Sequence, residues 1–279
     1  MPLSYLWLTP AGFAIGIFGT LVGAGGGFIL VPLLLILYPT AEPTTITSIS
    51  LAVVFFNALS GSISYSRMKR IDYKSALVFS IATIPGAVLG ALTTGYIPRR
   101  WFDLAFGVLL LAVAGYLLLR PHRVTQAIAR VMPRGHVQRT LTDANGATHT
   151  YSFNLWSGVL LSLGVGYLSS LLGIGGGIIH VPALVTLFSF PVHIATATSQ
   201  FILAVMSLVG TLVHVVTGDF AHGGLRRTIF LAIGVLAGAP LGAWLSNRLR
   251  GRWIIRGMAL ALALAGVRLI MLALSLGGM

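Results

Sequence analysis

Residues 19–32 read GTLVGAGGGFILVP, and residues 169–182 read SSLLGIGGGIIHVP. Both stretches lie inside apolar runs of about 3–38 and 153–190, each longer than the ~20 residues that one membrane helix needs. Each carries a glycine triplet, Gly25, Gly26, Gly27 and Gly175, Gly176, Gly177. A glycine weakens a helix interior by about 1 kcal/mol relative to alanine, so both triplets read as breaks. Inside a bilayer, backbone that leaves the helix is tolerated only where protein buries it or where it lines a wet cavity.

The two stretches are copies of one another. An offset of 150 aligns residues 16–34 with 166–184, with ten of nineteen positions identical. With small gaps, Gly86-Ala87 falls on Gly238-Ala239, Arg100-Trp101 on Arg252-Trp253, and Asp72 on Asp219. Six further apolar blocks accompany the two long ones, at about 46–65, 75–97, 101–119, 194–217, 228–247 and 253–276. The expected organisation is a first membrane repeat over 1–120, a basic cytoplasmic linker over 121–152, and a second membrane repeat over 153–279. Within the linker, Asn145-Gly146 between alternating runs is a hairpin signal. A basic linker on the membrane surface is the reading preferred here.

Composition points the same way. Of 279 residues 56% are hydrophobic and 8% charged, with a mean hydropathy of +0.94. A soluble domain carries roughly 25% charged residues, so a soluble enzyme and a disordered chain are excluded. The net charge of +13 reflects scarce acids (Glu42, Asp72, Asp103, Asp143, Asp219) and cationic loops, which suits anionic lipid and no nucleic acid. The absence of cysteine removes disulfides and thiolate metal sites. The first residues lack a basic region, so a cleaved signal peptide is not expected.

Charge also orients the repeats. If each long block crossed once, the basic loop residues would divide eleven against six. If each is a hairpin returning to its own side, the copies are inverted and the division becomes thirteen against four. The four are Arg99, Arg100, Arg226 and Arg227. Positive residues gather on the cytoplasmic side, which favours the second arrangement. The expected fold is therefore an all-α integral membrane protein of two homologous inverted repeats, each a glycine-broken helical hairpin plus three transmembrane helices, with both termini outside.

A helix restarting after each glycine break presents unpaired N–H groups and the positive end of its dipole, which suits an anion. In the following helices, Ser50, Asn57 and Ser64 recur every seven residues, and so do Gln200, Ser207 and His214, their partners at offset 150. Thr196 and Thr211 share the second stripe. A polar stripe in a membrane helix lines a solute path or bonds to other helices. His180, three residues after Gly177, is placed to donate to an anion or carry a proton, as is His214. Arg268 reads as a residue snorkelling to the nearer surface. No acidic residue is expected within a span, which argues against a cation site. Glycine pairs four apart (Gly12/Gly16, Gly86/Gly90, Gly234/Gly238, Gly238/Gly242) read as close helix packing.

The duplicated motif, from Gly19 to Pro32 and from Ser169 to Pro182, resembles the signature of the sulfite exporter TauE/SafE family. Ala197-Thr198-Ser199 and Thr47-Ser48 extend the match. Ser169 stands where the motif has glycine, and Ile49 or Ser50 stands opposite Gln200. The resemblance implies a polytopic secondary transporter of sulfite, sulfonates or related organic anions. It implies no enzyme activity and no cofactor. The candidate substrate-binding residues are Gly25, Gly26, Gly27, Gly175, Gly176, Gly177, Ser48, Ser50, Asn57, His180, Thr198, Ser199, Gln200, Ser207 and His214. An anion channel and a non-transporting membrane scaffold are the alternatives. The expected setting is a bacterial inner membrane, with a homodimer as a candidate assembly.

Overall fold

The computed structural model describes residues 5–119, 135–220 and 223–275. The first half holds α1 (Leu8–Val22), α2 (Gly27–Leu37), α3 (Pro43–Arg67), α4 (Tyr73–Thr93) and α5 (Arg99–Leu119). Strands β1 (His136–Thr142) and β2 (Thr148–Asn154) follow. The second half holds α6 (Leu155–Leu172), α7 (Gly177–Thr186), α8 (Val192–Val216), α9 (Gly224–Arg248) and α10 (Gly251–Ser275). Among the described residues, seven helices are long and apolar enough to cross a membrane. Six are α3, α4, α5, α8, α9 and α10, the blocks read as crossing helices. The seventh is α6, which precedes the second glycine break; α1 and the two helices after the breaks are shorter.

The halves exchange partners. Helix α1 lies along α9 and α6 along α4, while α3 packs on α8 and α5 on α10. The glycine spacings explain the first two pairs. A Cβ on Gly16 would sit 2.8 Å from the Cα of Val235, and one on Gly166 would sit 3.0 Å from the Cα of Thr83. Gly234, Gly238 and Gly242 meet the main chain of Thr9, Phe13 and Ile17 in that order, so α1 and α9 run parallel. In the other pair Gly86 and Gly90 meet Leu163 and Tyr167 in the same sense. Helices α3 and α8 cross antiparallel: Gly61 faces Gln200, and Gly210 faces Leu51.

The contacts correct the register read from sequence. Ser50 Oγ donates to the Gly173 carbonyl at 2.6 Å, and Ser199 Oγ donates to the Gly23 carbonyl at 3.0 Å. Thr47 packs on Gly173, and Thr196 packs on Gly23. In α3 and α8 the counterparts are therefore 149 apart, because the link from Gly177 to α8 is one residue shorter than that from Gly27 to α3. Ser50 matches Ser199, Asn57 matches Met206, Leu51 matches Gln200 and Tyr65 matches His214. The pairing of Asp72 with Asp219 also fails. Asp72 caps α4 by accepting from the Ser75 N–H at 3.2 Å, whereas Gly223 holds that place before α9.

Two further expectations change. The chain is not all-α: β1 and β2 pair antiparallel around a turn in which Asp143 Oδ1 accepts from the N–H groups of Asn145 and Ala147. This hairpin is docked on the helices. Tyr151 and Phe153 pack with Phe79, Phe188 and Phe190, and the Ala144 N–H donates to the Met68 carbonyl at 3.0 Å. Linker residues 121–134, with Arg123, Arg130 and Arg134, lie outside the described residues. A carboxylate does lie within a span. Asp103, fully buried in α5, accepts two hydrogen bonds from Arg99 Nε, and Arg99 also binds the Leu35 and Ala41 carbonyls. A buried charge needs such a partner, and this one ties the end of α2 to α5. Arg268 is exposed on α10.

Candidate functional site

The glycine breaks are built alike. Gly23 ends α1 in the left-handed region (φ 77°), Gly25 and Gly26 follow at 75° and 84°, and α2 restarts at Gly27. Gly173, Gly175 and Gly176 repeat this at 70°, 80° and 81°. Other L-residues lose about 1–2 kcal/mol in that region, which is why the sequence keeps glycine there. The N–H groups of Ala24 and Gly25 turn back to the Gly19 carbonyl, and that of Ile174 to the Ser169 carbonyl. In the first turns of α2 and α7 the Ile29 and Ile179 N–H groups bond the Gly26 and Gly176 carbonyls, while those of Gly27, Phe28, Gly177 and Ile178 have no helical carbonyl to bond.

The two breaks meet each other. A Cβ on Gly27 would lie 2.7 Å from the Ile174 carbonyl oxygen, and one on Gly177 would run into the Gly23 carbonyl and Ala24. The space over them is packed rather than hollow. Leu203 and Val54 lie against Gly25, and Val54 lies against Gly175. With Ala58 and Ala204 they form a small apolar cluster where α3 crosses α8. Of the two settings that tolerate broken backbone in a bilayer, this conformation shows burial by protein: methyl groups of Val54 and Leu203 cover the glycines.

The polar residues divide into three groups. Ser50 and Ser199 clasp the opposite break through its carbonyl. Asn57 and Gln200 sit beside Thr20 and Gly61. Thr20 Oγ1 donates to Asn57 Oδ1 at 3.0 Å, and Gln200 Nε2 donates to the Gly19 carbonyl at 3.3 Å. Both amides are fully buried, and Asn57 Nδ2 and Gln200 Oε1 lack a protein partner. Their counterparts, Met206 and Leu51, are apolar, so the amides serve one half only. The third group is engaged elsewhere. Ser48 Oγ donates to the Thr45 carbonyl, Thr198 Oγ1 accepts from the Asp72 N–H, and Ser207 Oγ donates to the Leu203 carbonyl within its own helix. His180 is buried with Nε2 3.3 Å from Ser162 Oγ, and its Nδ1 lacks a protein partner.

His214 differs. Its Nδ1 lies 2.6 Å from Asp219 Oδ2 and its Nε2 3.4 Å from Thr47 Oγ1. Asp219 borders a cavity of about 430 Å3 shared with Glu42, Thr45, Tyr38 and Arg227. The Arg227 guanidinium stacks on the Tyr38 ring at 3.7 Å. Sequence reasoning passed over Thr20, Tyr65 and Asp219 as site residues. The 149 spacing, which aligns Thr47 with Thr196 and Tyr65 with His214, is the signal that finds Tyr65.

A family model described as Sulfite exporter TauE/SafE matches residues 8–269. The chain is 33% identical over 276 residues to a probable membrane transporter protein, YunE, of Bacillus subtilis, covering 96% of this chain and 98% of that one. It is 24% identical to a probable membrane transporter protein of Methanocaldococcus jannaschii, covering 89% and 90%. It is also 28% identical to one of Xylella fastidiosa, covering 85% and 82%. No solved structure matches the chain.

Proposed function

The chain belongs to the sulfite exporter TauE/SafE family, and on that footing we propose that it is a secondary transporter, an exporter in its family's sense, of small anions such as sulfite or sulfonates. The anion binds at the meeting point of the two glycine breaks, within reach of Asn57 and Gln200. The observation that carries this reading is the direct contact of the breaks. Each helix start lies against the opposite break, and the N–H groups of Gly27 and Phe28 and of Gly177 and Ile178 have no helical carbonyl, so a small anion there needs no charged side chain.

The halves are inverted across the membrane. The antiparallel crossing of α3 and α8, which are counterparts, supports this. So does the return of the chain at the first break, where Gly26 lies against Ile15 of the preceding helix. The β-hairpin then lies on the cytoplasmic side with the larger positive charge, and the cavity at Asp219 opens to the other side. Val54 and Leu203 cover the site in the closed state. Sliding of α3 against α8 uncovers it, with the carbonyl clasps of Ser50 and Ser199 keeping each helix attached to the opposite break.

Purified protein is expected to gain thermal stability with added sulfite, thiosulfate or sulfoacetate in a concentration-dependent way. Proteoliposomes are expected to show sulfite counterflow, accelerated by substrate on the far side, which a channel does not show. Stability indifferent to all three anions, together with absent counterflow, would overturn the reading.

A further inference from the structure

One titratable pair stands apart from the anion site but touches the framework that forms it. His214 lies in the last turn of α8, fully buried, with Asp219 on one ring nitrogen and Thr47 on the other. Thr47 packs on Gly173, the residue that ends α6 at the second break. On the other half the matching place is held by Tyr65, whose hydroxyl lies among Thr20, Thr196 and Ser246. A phenol has no second basic site, whereas an imidazole bonded to a carboxylate through one ring nitrogen keeps the other free to take a proton, so of the two counterparts His214 is the one that can be loaded. Asp219 is 21% exposed in its side chain and borders the 430 Å3 cavity, which gives the pair access to water.

We propose that His214 and Asp219 form a proton site coupled to anion movement, with Thr47 as the link to the second glycine break. The coupling rests on the transporter reading above. In the unloaded pair the proton on Nδ1 is donated to the Asp219 carboxylate. Nε2 is bare and accepts from the Thr47 hydroxyl, so the pair carries one negative charge. A proton entering from the cavity settles on Nε2. Nε2–H then donates to Thr47 Oγ1, and the Thr47 hydroxyl turns to the Thr44 carbonyl, 3.0 Å away. The loaded pair is an imidazolium with a carboxylate, neutral overall. Loading removes a negative charge one side chain from the break. It therefore favours an anion there, and by reciprocity the anion favours the proton. Proton and anion travel in the same direction.

Among the described residues, His214 and Asp219 are the histidine–carboxylate pair at this end. Glu42 and Arg227 line the same cavity, and Arg227 is stacked on Tyr38. Helices α1 and α6, which touch α8, contain no Asp, Glu, Lys, Arg or His. The single charged residue of α4, Lys74, lies in its first turn, and that of α3, Arg67, in its last, both at the opposite end. His193 lies in the first turn of α8, again at the opposite end, and His180 of α7 faces Ser162. Asp219 is braced by Thr217, whose Oγ1 lies 2.5 Å from its Oδ2, and Ser48 donates to its carbonyl.

The test uses radiolabelled sulfite and full-length protein in proteoliposomes. A gradient of one pH unit should drive sulfite with the protons, whichever face is acid, shifting the final sulfite ratio up to about tenfold. H214Q should lose this response, and a folded H214Q that loses counterflow as well would place His214 at the anion site and overturn the proposal. D219N should lose the response too and serves if H214Q does not fold. A gradient response surviving in folded H214Q or D219N would overturn the proposal, as would wild-type counterflow with no gradient response. Absence of counterflow in the wild type would instead overturn the transporter reading, and the coupling with it.

Discussion

A methyl group at Gly177 has nowhere to go, because the Gly23 carbonyl of the opposite break occupies its place. Backbone cannot step aside as a flexible side chain can. Gly177→Ala should therefore lower stability by about 3 kcal/mol, read as a fall in the midpoint of thermal unfolding in detergent. Gly26→Ala meets a different obstacle: its φ of 84° costs an alanine about 1–2 kcal/mol, and its Cβ would press on Ile15. A smaller loss is expected there. These positions were legible in the sequence because three consecutive glycines in an apolar run interrupt a helix wherever they fall. The polar stripe was legible only as a stripe. A one-residue difference in the link before α8 shifts every partner, and nothing in the residues themselves marks it. What Asn57 and Gln200 bond also depends on Thr20 and Gly19, which only tertiary packing brings near.

Among the elements, the β-hairpin shows how a sequence signal can be right and its setting hidden. Asn145-Gly146 and the flanking alternation mark the turn, but the docking depends on Phe79, Phe188 and Phe190 from separate segments. Tyr151 fixes the docked position by donating to Asp72 Oδ2 at 3.0 Å, next to Arg139. Tyr151→Phe should weaken docking by about 1.5 kcal/mol, seen as faster proteolysis at the turn. Burial, and then the neighbouring Asp72 carboxylate, push the Tyr151 phenol above its ordinary value. The sign follows from the raised value. The contribution is complete below the ordinary tyrosine pKa of about 10 and is lost as pH rises towards the folded-state value. In a tyrosinate absorbance titration the late-ionising amplitude should fall by one tyrosine in Tyr151→Phe.

Across the molecule, the deciding quantity is the sidedness of charge and structure. The segments around residues 68–72, the β-hairpin and the start of α10 share one end, held by contacts such as Arg70 to Asn247 Oδ1 at 2.6 Å. Glu42, Asp219 and Arg227 share the other. The apolar spans and the glycine breaks could be read from sequence because hydropathy and glycine content are quantities that a linear chain displays directly. Where the β-hairpin docks could not, because its contacts with Phe79, Phe188 and Phe190 are long-range. The chain has no cysteine, so single cysteines report position without background. In right-side-out vesicles Thr40→Cys, at the cavity, should react with an impermeant maleimide, while Asn145→Cys, at the turn, should react only after the membrane is permeabilised. Labelling of both from one face would contradict the inverted arrangement, because α3 runs from the segment holding Thr40 to the segment that meets Ala144 and must then fail to cross. Added sulfite should slow labelling at Thr40→Cys if the cavity is the route to the breaks, and leave Asn145→Cys unchanged.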